Sequence, residues 1–150
     1  MKNLIYFVFL MLLVACSNQE LKNNVNKEQE ESIKDGVFIH ITAGYENPHR
    51  VLMPLKMALN MSKDKNVLIY LDIEAPKLVV KNAQDLNYGD FENLKTYLKM
   101  LLDAGVGIYA CPTCLKLAGY EEKDLIDGIK IAQKDRFFDF TKGRIITLDY

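Results

Sequence analysis

The stretch GVGIYACPTCLKLAG, residues 105–119, passes from a short apolar, β-rich run, Val106 to Ala110, straight into Cys111-Pro112-Thr113-Cys114 and then into a helical pattern. A strand leading directly into a helix is the repeating unit of parallel α/β sheets, whose ligands gather at the carboxyl ends of the strands. Pro112 suits the first position of a helix, where no N–H is needed and a fixed φ is already helical. A thiol at that junction faces unpaired backbone N–H groups and the positive end of the helix dipole, and both favour the thiolate at neutral pH. Cys114 lies one turn further on, close enough to bridge to Cys111 or to resolve a mixed disulfide. Redox exchange, half of a metal site, a sulfur-carrying thiol and plain packing all remain open from this stretch alone.

Outward from the motif, residues 36–150 alternate β-rich runs with amphipathic stretches. Val37 to Ile41 reads as a first strand and Thr42 to His49 as a loop with Gly44 and Pro48. Arg50 to Met61 carries Val51, Leu52, Leu55, Ala58 and Leu59 at helical spacing, with Pro54 placed in the first turn. Val67 to Leu71 is apolar throughout, as expected of a strand covered on both faces. Residues 73–89 are irregular, with Pro76 as a breaker. Asp90 is the expected N-cap of a helix whose apolar face is Phe91, Leu94, Leu98 and Leu101 and whose stop is Gly105. Further helices are expected over 112–118 and 123–133, and a closing strand over 144–148. The order β-α-β-α-β-α-β predicts a three-layer α/β fold, a mostly parallel sheet with helices on both faces. His40, inside an apolar strand, reads as a core histidine.

The beginning of the chain has another character. Met1-Lys2-Asn3 is a short basic start, and Leu4 to Ala15 is an unbroken apolar run of twelve residues, too short for a mature membrane span but suited to a signal-peptide core. It ends in Leu13-Val14-Ala15-Cys16, which resembles the bacterial lipobox. That resemblance implies cleavage before Cys16 and attachment of lipid, such as palmitate, to Cys16. Residues 17–35 are rich in Asn, Gln, Glu and Lys and cannot bury enough surface to fold alone. The expected organisation is a signal peptide over 1–15, a lipidated cysteine and polar tether over 16–35, and one α/β domain over 36–150. The protein is therefore expected to be exported and held at a bacterial membrane, on the periplasmic or cell-surface side.

Composition narrows the function. With 19 Lys and Arg against 20 Asp and Glu, the formal net charge is −1, which gives no electrostatic reason to expect nucleic acid as a partner. The chain has three cysteines, and assigning Cys16 to lipid leaves Cys111 and Cys114 as a pair. A zinc site lacks its other half, because the two histidines, His40 and His49, have no partners at ligand spacing. No metal and no cofactor are expected. A thioredoxin-like reading meets a different difficulty: that fold places its motif after an early strand and needs a later cis-proline, whereas Pro112 is the last proline here.

The whole span from Gly36 to Tyr150 resembles the DsrE/DsrF-like family, which includes sulfur-relay proteins of sulfur oxidation and of tRNA thiolation. The resemblance is carried by GVFIHITAGYENPHRVLMPLKMA, by NVLIYLDIEAPKLVV and above all by LLDAGVGIYACPTCLKLAGYEEKDLIDGIKIA. In the relay proteins the persulfide-carrying cysteine follows this strand and precedes a glycine by eight residues. Cys111 and Gly119 have that spacing, so the resemblance implies thiol or persulfide chemistry at Cys111, with Cys114 resolving or modulating it. It also implies a sulfur donor or thiol reductant as partner, and assembly into a homo-oligomer. Candidate pocket walls are Thr42, Gly44, Tyr45 and Asn47 in the first loop, His49 beyond it, and Asp72 and Glu74 after the second strand. Two other readings use the same sheet edge: a non-catalytic module binding a small ligand or partner, and a thiol–disulfide redox protein using Cys111 and Cys114.

Overall fold

The computed structural model describes residues 33–150. The signal peptide expected over 1–15, the expected lipid site at Cys16 and most of the expected tether lie outside these residues. The described part builds one sheet of five strands, all parallel: β1 (Gly36–Ile41), β2 (Asn66–Leu71), β3 (Gly107–Ala110), β4 (Lys130–Ile131) and β5 (Ile145–Asp149), in the spatial order β4-β3-β2-β1-β5. The helices are α1 (Pro48–Met61), α2 (Leu94–Asp103), α3 (Pro112–Leu117) and the short α4 (Arg136–Asp139). The expected α/β layering is what forms.

Alternation along the strands divides the residues between the two faces. On one face Val37, Ile39 and Ile41 of β1, Val67, Ile69 and Leu71 of β2, and Ile108 and Ala110 of β3 are buried. They pack beneath α1, through Val51, Leu52, Leu55 and Ala58, and α2, through Leu94, Tyr97, Leu98 and Leu101. Each fully buried leucine here contributes about 2 kcal/mol of transfer free energy. The other face is thinner and aromatic. Phe137 of α4 stands edge-on to Phe38 at 5.1 Å and to Tyr70 at 5.0 Å. Phe140 and Thr141 press so closely on Gly36 that a Cβ there would meet them at 2.8 and 2.5 Å.

Several boundaries differ from the sequence reading. The first helix begins at Pro48, not residue 50, because the Asn47 side chain caps it by accepting from the Arg50 N–H; Pro54 then lies inside the helix rather than in its first turn. The second begins at Leu94, not Asp90: Asn93 Oδ1 accepts from the Thr96 N–H at 2.8 Å and is the working cap. Phe91 instead packs beside His49 and Tyr88. No α-helix forms over 123–133; only a single 3-10 turn, Glu122–Asp124, stands at its start. Leu125 pairs across an antiparallel bridge with Val80, and the chain reverses at Asp127-Gly128, where Gly128 has φ +96°. Apolar residues spaced like a helix face thus fold as a turn leading into β4, and the Asp-Gly pair is the local reason. Ordered structure also starts before Gly36: Asp35 forms an ion pair with Arg144 at 2.6 Å, and the Lys34 carbonyl accepts from Thr141.

Candidate functional site

Register places the site. Asp149, His40, Tyr70 and Tyr109 are mutual neighbours across β5, β1, β2 and β3. One residue pair further along the same face come Asp72 and Cys111, just past the carboxyl ends of β2 and β3. The Cys111 N–H extends the ladder by donating to the Leu71 carbonyl at 2.8 Å. The chain then turns into α3 with Cys111 as its N-cap and Pro112 at the first position, so the sulfur is held over the first turn.

There the Cys111 Sγ accepts the backbone N–H of Cys114 at 3.3 Å. Partial burial pushes the Cys111 thiol up, but donation from the Cys114 thiol and N–H, the Tyr70 hydroxyl and the Thr113 N–H outweighs it, and the net shift is below the ordinary thiol value. Cys114 moves the other way, raised by burial and by its contact with Cys111, with the Ile73 N–H opposing at 3.2 Å from its Sγ. Both cysteines are free thiols and half-buried. Tyr70 is raised as well, by burial first and then by its bond to Cys111, so it stays a phenol that donates to the sulfur. Ile73 holds φ +53°, a left-handed conformation that a β-branched residue rarely adopts. That conformation accompanies the aim of its N–H at Cys114.

His40 is not a core histidine. It is half-exposed on the thin face, stacked on Tyr70 with ring centroids 5.4 Å apart, and flanked by two carboxylates. Nδ1 lies 2.9 Å from Asp149 Oδ1 in a hydrogen bond, and Nε2 lies 2.9 Å from Asp72 Oδ1. The second approach lacks hydrogen-bond alignment, so neither Nε2 nor Asp72 Oδ1 has a bonding partner among the described residues. The two aspartates address opposite ring nitrogens and cannot share one ion with the imidazole. Among the described residues no group of three or more His, Cys, Asp or Glu side chains is arranged to hold a metal.

Of the residues singled out from sequence, the structure brings Cys111, Cys114 and Asp72 together. The others are placed in local structural bonds. Thr42 donates through its hydroxyl to the Tyr150 carbonyl at 3.0 Å, and the Gly44 N–H donates to Glu46 at 2.8 Å. Gly44 also sits where a Cβ would meet Glu74 at 2.9 Å. The Tyr45 hydroxyl donates to the Gln84 carbonyl, Asn47 caps α1, His49 stacks on Tyr88 at 5.2 Å, and Glu74 pairs with Lys77. Tyr70, His40, Asp149 and the Ile73 N–H were not singled out as site groups. Period-two alternation offers a signal for part of this set, since it places Tyr70 with Asp72 and Tyr109 with Cys111 on one face. A cleft of about 310 Å³ opens elsewhere, at the amino ends of the strands beside Lys65, Asn66 and Tyr109. It lies at the opposite end of the sheet from the thiols.

Known proteins agree with this architecture. The chain is similar to the ychN protein from E. coli, with a TM-score of 0.58 at 17% identity, covering 77% of this chain and 99% of that one. It is similar to protein MTH1491 from Methanobacterium thermoautotrophicum, with a TM-score of 0.53 at 17% identity and the same coverage. At these identities the likeness shows the fold alone. An uncharacterized protein of Methanocaldococcus jannaschii is 26% identical over 124 residues, 80% of this chain, and the chain spans 45% of that relative's length. The sequence profile of the DsrE/DsrF-like family matches residues 35–147, which takes in β1 to β4, the start of β5 and both thiols, and the chain belongs to the DsrE/DsrF-like family.

Proposed function

We propose that the protein is a membrane-anchored carrier of sulfane sulfur, with Cys111 as the residue that takes up and holds the sulfur. The observation that carries this reading is the set of donors converging on the Cys111 sulfur, which favours the thiolate needed to attack an S–S bond. Family membership agrees with the reading. The anchor would be lipid on Cys16. A sulfur donor and a thiol reductant are the partners the chemistry needs. We propose further that the domain self-associates, because its aromatic face is covered by little more than the short α4 and leaves Phe138 and Ile145 exposed. Sedimentation of the purified chain tests this, and a clean monomer would remove it.

The carrier reading is tested by mass spectrometry of the reduced protein after exposure to polysulfide. Added sulfur is expected on wild type and Cys114→Ser, and none on Cys111→Ser. Equal labelling of both variants, or none on Cys114→Ser, would overturn the assignment. A second reading, thiol–disulfide exchange, is favoured by the placing of two free thiols one helical turn apart, with the Cys114 N–H on the Cys111 sulfur. It predicts that the Cys111–Cys114 disulfide forms and is reduced reversibly without sulfur ever being taken up.

A further inference from the structure

Resting on the carrier reading, we propose that the protein discharges its sulfur internally: Cys114 attacks Cys111 once it is persulfidated, forming the Cys111–Cys114 disulfide and expelling hydrosulfide. The site would thereby convert sulfane sulfur from a polysulfide or a low-molecular-weight persulfide into sulfide, at the expense of an external dithiol.

The geometry supports each step. Cys114 is one helical turn from Cys111, and its own N–H donates to the Cys111 Sγ at 3.3 Å, so its side chain springs from backbone already in contact with that atom. A nucleophile so placed meets the inner sulfur of a persulfide rather than the outer one, and attack at the inner sulfur releases HS⁻ whereas attack at the outer one would merely relocate the sulfur. The Ile73 N–H, 3.2 Å from the Cys114 Sγ, is a fixed donor for a Cys114 thiolate. Loading Cys111 also changes its neighbour's surroundings, because the charge moves from Sγ to the terminal sulfur, one bond further from Cys114.

The steps balance as follows. In loading, the Cys111 thiolate attacks a sulfane sulfur of a hydropolysulfide; the new Sγ–S bond forms, an S–S bond of the donor breaks, and the shortened polysulfide leaves with the electron pair. In discharge, the Cys114 proton passes through water to the terminal sulfur of the persulfide, and the Cys114 thiolate attacks the Cys111 Sγ. The Sγ–S bond breaks and HS⁻ leaves with the electron pair. The released sulfur has gained two electrons, and the two cysteines, now a disulfide, have lost one each. A dithiol reductant restores the pair by exchange and is itself oxidised to a disulfide.

The test uses the purified, reduced chain loaded with sodium polysulfide, desalted, and followed by free-sulfide assay and intact mass. Wild type should lose its added sulfur while releasing one sulfide for each disulfide formed. Cys114→Ser and Cys114→Ala should hold the persulfide longer, on the order of a hundredfold, because an intramolecular nucleophile has been removed. Cys111→Ser should not load. If both Cys114 variants load but wild type keeps its persulfide as long as they do, internal discharge is wrong and the carrier reading stands. If the Cys114 variants fail to load while their circular dichroism matches wild type, the carrier reading itself fails. The one-to-one release of sulfide and disulfide in wild type is independent of any variant, and its absence would also sink the proposal.

Discussion

Cys114 gives its backbone N–H to the Cys111 sulfur at 3.3 Å while its own sulfur receives the Ile73 N–H at 3.2 Å, so the two thiols of one motif sit in opposite electrostatic positions. Cys111 collects donors and is shifted down; Cys114 is buried against that sulfur and is shifted up. Alkylation followed against pH should therefore show two steps. Cys111 should react first, with its rate rising below the ordinary thiol range, and Cys114 should follow only above it. Peptide mapping of the alkylated sites at each pH measures the order, and identical profiles would show that the donors do not differentiate the thiols.

Tyr70 contributes through one hydrogen atom. Tyr70→Phe keeps the ring that packs on Phe38 and Phe137 but removes the donor to Cys111. With that donor gone, the Cys111 pKa should rise toward the ordinary thiol value. The ultraviolet absorbance of the thiolate, titrated in both proteins, would show the shift. Thermal stability should change little, which separates this effect from a packing defect.

Stability resides in the other face. Leu55 is 1% exposed between α1 and the sheet, and Leu55→Ala should cost about 2–5 kcal/mol in urea unfolding through lost burial and a residual cavity. Phe138, 72% exposed on α4, is the control, and Phe138→Ala should shift stability by no more than about 0.5 kcal/mol. A comparable loss at both positions would mean that the thin face is buried in the protein as it exists in solution, and that an assembly covers it.

The anchor makes its own prediction. Cys16→Ser should abolish incorporation of labelled palmitate and leave the precursor uncleaved, since in the proposed lipoprotein the modified residue and the cleavage site coincide at Cys16. Two or more acyl chains, at about 0.8 kcal/mol per buried methylene, hold a protein on a membrane stably, so the variant should also leave the membrane fraction after its signal is removed by other means. Undiminished palmitate labelling in the variant would end the lipoprotein reading.

Much of this architecture was readable in the chain because parallel sheets write themselves in continuous apolar runs. β1, β2, β3 and β5 fall where those runs fall, and the junction at Cys111 is spelled out by Pro112 and the strand before it. What escaped was decided by tertiary partners. Residues 123–133 have helix-like apolar spacing, but Leu125 is claimed by Val80 and Gly128 reverses the chain. Asp90 and Asn93 are both sound caps by type, and only the Asn93 bond to Thr96 chooses between them. The histidine cluster was hidden for the same reason. His40 looks apolar by its neighbours in sequence, and its carboxylate partners come from the ends of β2 and β5, which no local pattern joins to it.

That separation divides the site in time as well as in sequence. Cys111 and Cys114 are brought together by a single turn of backbone, an event of microseconds or less in a folding chain. The bond from His40 to Asp149 closes a span of 109 residues and waits for β5 to dock beside β1. A chain that has formed α3 but not yet seated β5 thus already carries its thiol pair, without the imidazole clamp beside Tyr70. Thiol reactivity and amide protection in β5, followed together during refolding, are two clocks started at different moments by the same molecule.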